Sequence, residues 1–300
     1  ALKLSETCEA RYFIADYHAL NACKDPVELK NMTVEIASAW LACGLNPEKT
    51  LFYRQSDVPE TFELLTILMA FTSKGLMNRA HAYKAIVQSN LETGKDPDDG
   101  VNMGLYTYPI LMAADILLFD TDFVPVGTDQ FQHIEMAQDI AQSFNFVYKT
   151  QALKIPQPIA QEETKTVVGL DGRKMSKSYN NTIPMFCSEK ALKKLIMSIV
   201  TNSQTVEEPK DPEASNIFAL YKNFASPEQI ENMRTRYLQG GLGWGQAKQE
   251  LFEVVNAELT PIRERYNYWI NNQDVIWNAL KAGSEKARIL ASEKITQLRK

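Results

Sequence analysis

Histidine is scarce in this sequence: His18, His81 and His133 are the only three in 300 residues, and they show no metal-ligand spacing and no Ser/His/Asp order. The four cysteines (Cys8, Cys23, Cys43, Cys187) are widely separated, with no C-x-x-C pair. That spacing offers neither a zinc knuckle, nor iron–sulfur ligation, nor a disulfide framework, and a reducing cytoplasm is the simplest setting for it. Long apolar runs are also lacking. The longest, Ile110 to Phe119, is interrupted by Asp115 and is too short to span a bilayer, so no membrane is expected. Positive charge is not in excess, with 32 Lys+Arg against 37 Asp+Glu for a net −5. This argues against indiscriminate nucleic-acid binding but leaves room for a local basic face. There is no G-x-G-x-x-G fingerprint, internal repeat or low-complexity tract.

What remains is ordinary globular composition, 45% hydrophobic and 23% charged, in a chain long enough for about two domains. Arg11 to Asp16 reads as a buried strand ending in a polar cluster, Asp16-Tyr17-His18. Asp25-Pro26 predicts a helix start, with a capping carboxylate and proline in the first turn, and the helix should stop at Gly44. Thr50 to Tyr53 predicts a second strand, and Pro59 opens another helix. Tyr108 to Phe119 should be helical, Phe123 to Val126 a short strand, and Gly127-Thr128-Asp129-Gln130 the turn into a further helix. The β-α alternation implies a parallel sheet covered by helices, with ligands beyond the carboxyl ends of its strands. After about Cys187 only helices are expected: one capped by Ser188, others from Pro212, Pro227 and near Trp244, and a last one over about Gly283 to Leu298. The fold class is therefore α/β, a Rossmann-like domain over 1–186 followed by an all-helical domain over 187–300.

Three constellations carry chemistry. Tyr108, Met112 and Asp115 fall at i, i+4 and i+7, so an aromatic, a thioether and a carboxylate share one face of an apolar helix. That face suits a flat apolar ligand bearing one N–H; equally, Asp115 could be a buried carboxylate tied to a helix cap or a lysine. Either way it needs a donor. The Gly127–Gln130 turn places backbone N–H groups and a carboxylate at a helix start, which suits a nucleotide, although one glycine is a weak phosphate signal. His133 reads as a core or supporting residue, His81 as structural, and His18, at a strand's carboxyl end, as a pocket residue. The third constellation is Lys174-Met175-Ser176-Lys177-Ser178, after Gly172 and before a turn-prone Tyr179-Asn180-Asn181-Thr182. It is either a solvated charged loop or a mobile basic loop whose lysines and hydroxyls wrap a polyphosphate.

The pentamer at 174–178 is the KMSKS signature of class I aminoacyl-tRNA synthetases, and the chain resembles the tryptophan-specific family along nearly its whole length. Similar segments are Phe13 to Leu20, Phe52 to Glu60, Tyr108 to Leu117 and Val124 to His133. The tyrosine-specific family shares the fold, but Met112-Ala113-Ala114-Asp115 points to tryptophan. The resemblance implies that Asp115 binds the indole N–H, that Tyr108, Met112, Val124 and Val126 pack the ring, and that Gln130 and His18 lie near the amino-acid end. It assigns Gly127, Thr128 and Asp129 to the adenosine, Val167 to the adenine side, and Lys174, Met175, Ser176, Lys177 and Ser178 to the triphosphate and catalysis. L-tryptophan, ATP with Mg2+ and tRNA(Trp) are the implied substrates, with anticodon contact beyond 187, the terminal helix packing back on the first domain, and a homodimer. No resident metal is implied. A HIGH-like segment is not found; with its strand it is expected ahead of Ala1. A tyrosine-specific relative and a non-catalytic binding paralogue are the alternative readings.

Overall fold

The computed structural model describes residues 2–160 and 167–300; of Lys3, Thr128 and Ala160 the backbone alone is described. From the N-terminus come β1 (Arg11–Ile14), α1 (Asp16–Ala19), α2 (Pro26–Ala42), β2 (Leu51–Arg54), α3 (Glu60–Met69), α4 (Lys74–Met77), α5 (His81–Glu92) and α6 (Met103–Leu117). Next are β3 (Phe123–Val126), α7 (Phe131–Tyr148) and β4 (Gln157–Ala160). The rest is helical: α8 (Glu189–Met197), α9 (Asn216–Tyr221), α10 (Pro227–Gln239), α11 (Trp244–Asn271) and α12 (Gln273–Leu298). The chain divides into two compact units, Ala1–Glu162 together with Asn272–Lys300, and Glu163–Asn271.

In the first unit, β1 pairs with β2 and β3 with β4, both in parallel. Among the described residues these are two separate two-stranded ladders, a finer division than the single sheet that β-α alternation suggests. Asp25 caps α2 by accepting from the Val27 and Glu28 N–H groups at 2.8 and 3.0 Å, and Pro26 occupies the first turn. Helix α6 starts five residues earlier than the expected Tyr108, because Asn102 caps it through the Leu105 N–H at 2.9 Å. Its buried stripe of Ile110, Ala113, Ala114 and Leu117 packs with Leu64, Leu68, Ile134 and Ile140 in the first core.

Helix α12 completes this core with Ala287, Ala291 and Ile295. It starts ten residues before the expected Gly283, which instead lies in its interior. The reason is tertiary: a Cβ at 283 would sit 1.7 Å from the Phe52 carbonyl oxygen, so only glycine lets the helix lie against β2. The neighbouring Ser284 Oγ accepts from the Arg54 N–H at 3.4 Å and reaches Asp57 at 3.3 Å. Further along, the buried Lys294 ammonium is held by Asp120 and the Ala152 carbonyl.

The second unit has its own core, in which Leu192, Ile196, Phe218, Tyr237, Leu251 and Val255 are buried. Ser188, Ser215 and Ser226 cap α8, α9 and α10; the last forms a full capping box with Gln229. Helix α9 begins at its Ser215 cap rather than at Pro212. The change in composition near 187 falls inside this unit, because Leu170, Ile183 and Cys187 already pack against its core.

Candidate active site

Asp115 is buried on α6 and meets two donors. His18 Nε2, from α1, lies 2.9 Å from Oδ2, and Gln55 Nε2, in the turn after β2, lies 2.9 Å from both carboxylate oxygens. Gln55 is itself fully buried, and its Oε1 accepts from the Tyr17 N–H at 3.2 Å. The donor that Asp115 requires is thus neither a lysine nor a helix cap. Burial pushes the Asp115 carboxyl up from the usual range, while the bonds from His18 and Gln55 oppose that shift. A carboxylate offers about four acceptor positions, two on each oxygen. Among the described residues Oδ2 receives two donors and Oδ1 one, which leaves a position on Oδ1 open.

A second chain starts from the same helix. Tyr108 Oη lies 2.7 Å from His133 Nε2, His133 Nδ1 lies 2.9 Å from Gln130 Oε1, and Gln130 Nε2 donates to Asp129 at 2.9 Å. Burial lowers the His133 pKa, so the ring is neutral at physiological pH. A neutral ring bonded to a Gln130 oxygen carries its proton on Nδ1, and Nε2 then accepts from the Tyr108 hydroxyl. His133 thus links Tyr108 on α6 to Gln130. Val124 and Val126 alternate with exposed neighbours along β3 and, with Met112, pack against the first core. Gly127 is exposed, and a Cβ there would come within 2.7 Å of Asp129. The Thr128 side chain lies outside the described residues.

In the second unit, 167–175 forms a hairpin: Val168 bridges Lys174 in antiparallel fashion, and the Met175 N–H donates to the Val167 carbonyl at 2.8 Å. Gly172 turns it at φ +86°. Lys174 and Lys177 are exposed, and neither forms an ion pair among the described residues. Ser176 Oγ meets Ser178 Oγ at 2.7 Å and caps the short turn Lys177–Tyr179. Met175 and the partly exposed Val167 line an apolar cavity of about 170 Å³ with Ile183, Ile196 and Leu251. Among the described residues no group of three or more His, Cys, Asp or Glu is placed to hold a metal, and no helix is long and apolar enough to cross a membrane.

One parallel α/β unit whose helix α6 carries a buried carboxylate, and a second unit that bears a basic KMSKS hairpin, define a class I aminoacyl-tRNA synthetase fold. The family model of tRNA synthetases class I (W and Y) matches residues 1–260, and the chain belongs to that family. Within it, the tryptophan--tRNA ligase of Bordetella parapertussis is 52% identical over 97% of this chain. This chain spans 64% of that relative's length. The tryptophan--tRNA ligase of Neisseria meningitidis is 50% identical over 97% of this chain and 86% of its own. The crystal structure of Campylobacter jejuni tryptophanyl-tRNA synthetase, complexed with ADP and tryptophan, superposes with a TM-score of 0.90 at 43% identity. It covers 99% of this chain and 90% of that one.

Gln55 is the site residue that sequence reasoning missed. Within the segment Phe52 to Glu60 it reads as one polar loop residue among several. The available signal was its place directly after a strand's carboxyl end.

Proposed function

We propose that the chain activates L-tryptophan with ATP and transfers it to tRNA(Trp). In the first step the tryptophan carboxylate attacks the α-phosphorus in line; the bond to the bridging oxygen breaks, and pyrophosphate leaves with its Mg2+. In the second, a ribose hydroxyl at the tRNA terminus attacks the adenylate carbonyl, AMP leaves, and the hydroxyl proton passes to the medium. No covalent enzyme intermediate is needed, and catalysis consists of positioning and charge stabilisation.

The observation that carries this reading is the buried Asp115 with its open Oδ1 position, on the same helix face as Tyr108 and Met112. An indole N–H fills that position, and the ring packs on Tyr108, Met112, Val124 and Val126. His18 and Gln130 lie toward the amino-acid end, Gly127, Thr128 and Asp129 hold the adenosine, and Val167 borders the adenine. Lys174 and Lys177, free of carboxylate partners among the described residues, neutralise the triphosphate as charge develops on pyrophosphate. Relatives half-identical over nearly all of this chain and named for tryptophan support the choice of substrate. A homodimer working in the cytoplasm belongs to the same reading.

ATP–pyrophosphate exchange tests it. Exchange should depend on tryptophan, with tyrosine supporting little, and Lys177→Ala should lower the rate far more than it weakens tryptophan binding. Exchange driven by tyrosine would reassign the substrate. Equal losses of rate and binding in Lys177→Ala would remove the lysine from the transition state.

A further inference from the structure

Strand 174–176 has two edges, and only one faces its hairpin partner. The Met175 N–H points to Val167, whereas the Lys174 carbonyl and the Ser176 N–H point the other way. On that second edge lies one side chain, Asn181, which is 2% exposed. Its Oδ1 accepts from the Ser176 N–H at 2.8 Å, and its Nδ2 donates to the Lys174 carbonyl at 3.1 Å and to Asp171 Oδ1 at 2.7 Å. Its own carbonyl accepts from the Leu170 N–H at 3.1 Å. A carboxamide carries the donor and acceptor of a peptide unit, so Asn181 does the work of a third strand one residue wide.

The surroundings are shaped around that amide. A Cβ at Gly169 would come within 2.2 Å of Asn181 Nδ2. Asn180, in the left-handed region at φ +50°, ends the turn and delivers the chain to position 181. Asp171, whose other oxygen pairs with Arg173, is held down at about 2, first by the bond from Asn181. The two lysines themselves have no side-chain anchor among the described residues. Their direction is therefore set by the backbone they hang from, and Asn181 holds that backbone.

We infer that Asn181 is a positioning residue for the phosphate-handling loop, clamping 174–176 so that Lys174 and Lys177 meet the polyphosphate together. This rests on the proposed reading of 174–178. It makes a buried carboxamide, seven residues beyond the first lysine, part of the apparatus for pyrophosphate departure although it touches no substrate.

Asn181→Asp tests it. The variant is nearly isosteric and still accepts from Ser176, but it cannot donate to Lys174 and sets a second negative charge against Asp171. The exchange rate should fall by about ten- to a hundredfold, with the KM for tryptophan changed by less than about twofold. Adding Asp171→Asn removes the repulsion but does not restore the donor to the Lys174 carbonyl, so the double variant should stay slow; full recovery would assign the loss to charge repulsion and overturn the clamp. Gly169→Ala, which presses on the amide from the other side, should reproduce the loss and is the second test if Asn181→Asp unfolds. An unchanged rate in Asn181→Asp and Gly169→Ala, beside a large loss in Lys177→Ala, overturns the clamp and leaves the lysine reading intact. No loss in Lys177→Ala overturns the lysine reading first. Loss of tryptophan binding in step with the rate makes Asn181 a general folding residue and also ends the proposal.

Discussion

Replacing Gly283 with alanine sets two effects of opposite sign against each other. In an ordinary helix interior the change stabilises by about 0.8–1.0 kcal/mol, because alanine loses less backbone freedom on folding. At 283 the new methyl would start 1.7 Å from the Phe52 carbonyl oxygen and 2.6 Å from the carbonyl carbon. Packed Cβ atoms stay beyond 3.0 Å, so α12 and β2 must separate by roughly 1.3 Å (3.0 − 1.7) along that contact. Phe52 contributes main-chain atoms, which no rotamer change can move aside. The separation loosens Ala287, Ala291 and Ile295 from the first core and breaks the 3.4 Å bond between the Arg54 N–H and Ser284. Overpacking of this kind costs about 1–3 kcal/mol and sometimes more. Because both colliding groups are rigid, we take the upper end and expect a net destabilisation of about 2 kcal/mol. Urea unfolding followed by circular dichroism measures it. Arg54 leads directly into Gln55, so tryptophan affinity should weaken in the same variant. A Gly283→Ala protein as stable as the unaltered chain, or more so, would refute the packing argument, because helix propensity alone predicts that result.

Two further predictions concern the pocket. Asp115→Ala should shrink discrimination between tryptophan and phenylalanine in pyrophosphate exchange, by up to about 10⁴-fold if that bond carries most of the selectivity; unchanged discrimination would take Asp115 out of the pocket. The neutral His133 makes stability depend on pH in a definite direction. Its folded pKa is depressed, so its contribution is complete above the unfolded value of about 6.5 and is lost as pH falls toward the depressed one. The unfolding midpoint should therefore drop between about pH 7.5 and 5.5, and drop less in His133→Gln; equal slopes in the two proteins would contradict this.

The parts of the fold visible in the sequence are those fixed by neighbours in the chain. Asp25-Pro26, Ser188 and Ser226 mark helix starts because a side chain satisfies N–H groups two or three residues on, and β3 falls where Phe123 to Val126 predicts it. Gly283 misleads because its role is not local. It resembles a helix boundary until Phe52, more than two hundred residues away, is seen to need the space. The site divides the same way. The lysines and hydroxyls of 174–178 form a recognisable word, and the spacing of Tyr108, Met112 and Asp115 places them on one helical face. Gln55 and Asn181 are inconspicuous in the sequence: what distinguishes each is which carboxylate or carbonyl it meets once the chain has folded.

Because α12 belongs to the first unit, that unit is written in two pieces with the whole second unit between them. A chain leaving the ribosome at about 5–20 residues per second carries β1, β2 and α6 for on the order of ten seconds before their last helix emerges. During that interval Phe52 and Tyr53 lack the cover that α12 gives them, and the turn bearing Gln55 lacks the Ser284 contact beside it. The surroundings of Asp115, drawn from residues 14–126, are thus completed only after α12 has emerged. Chains that have not yet reached α12 carry Asp115, His18 and Gln55 but not the final geometry of the turn after β2.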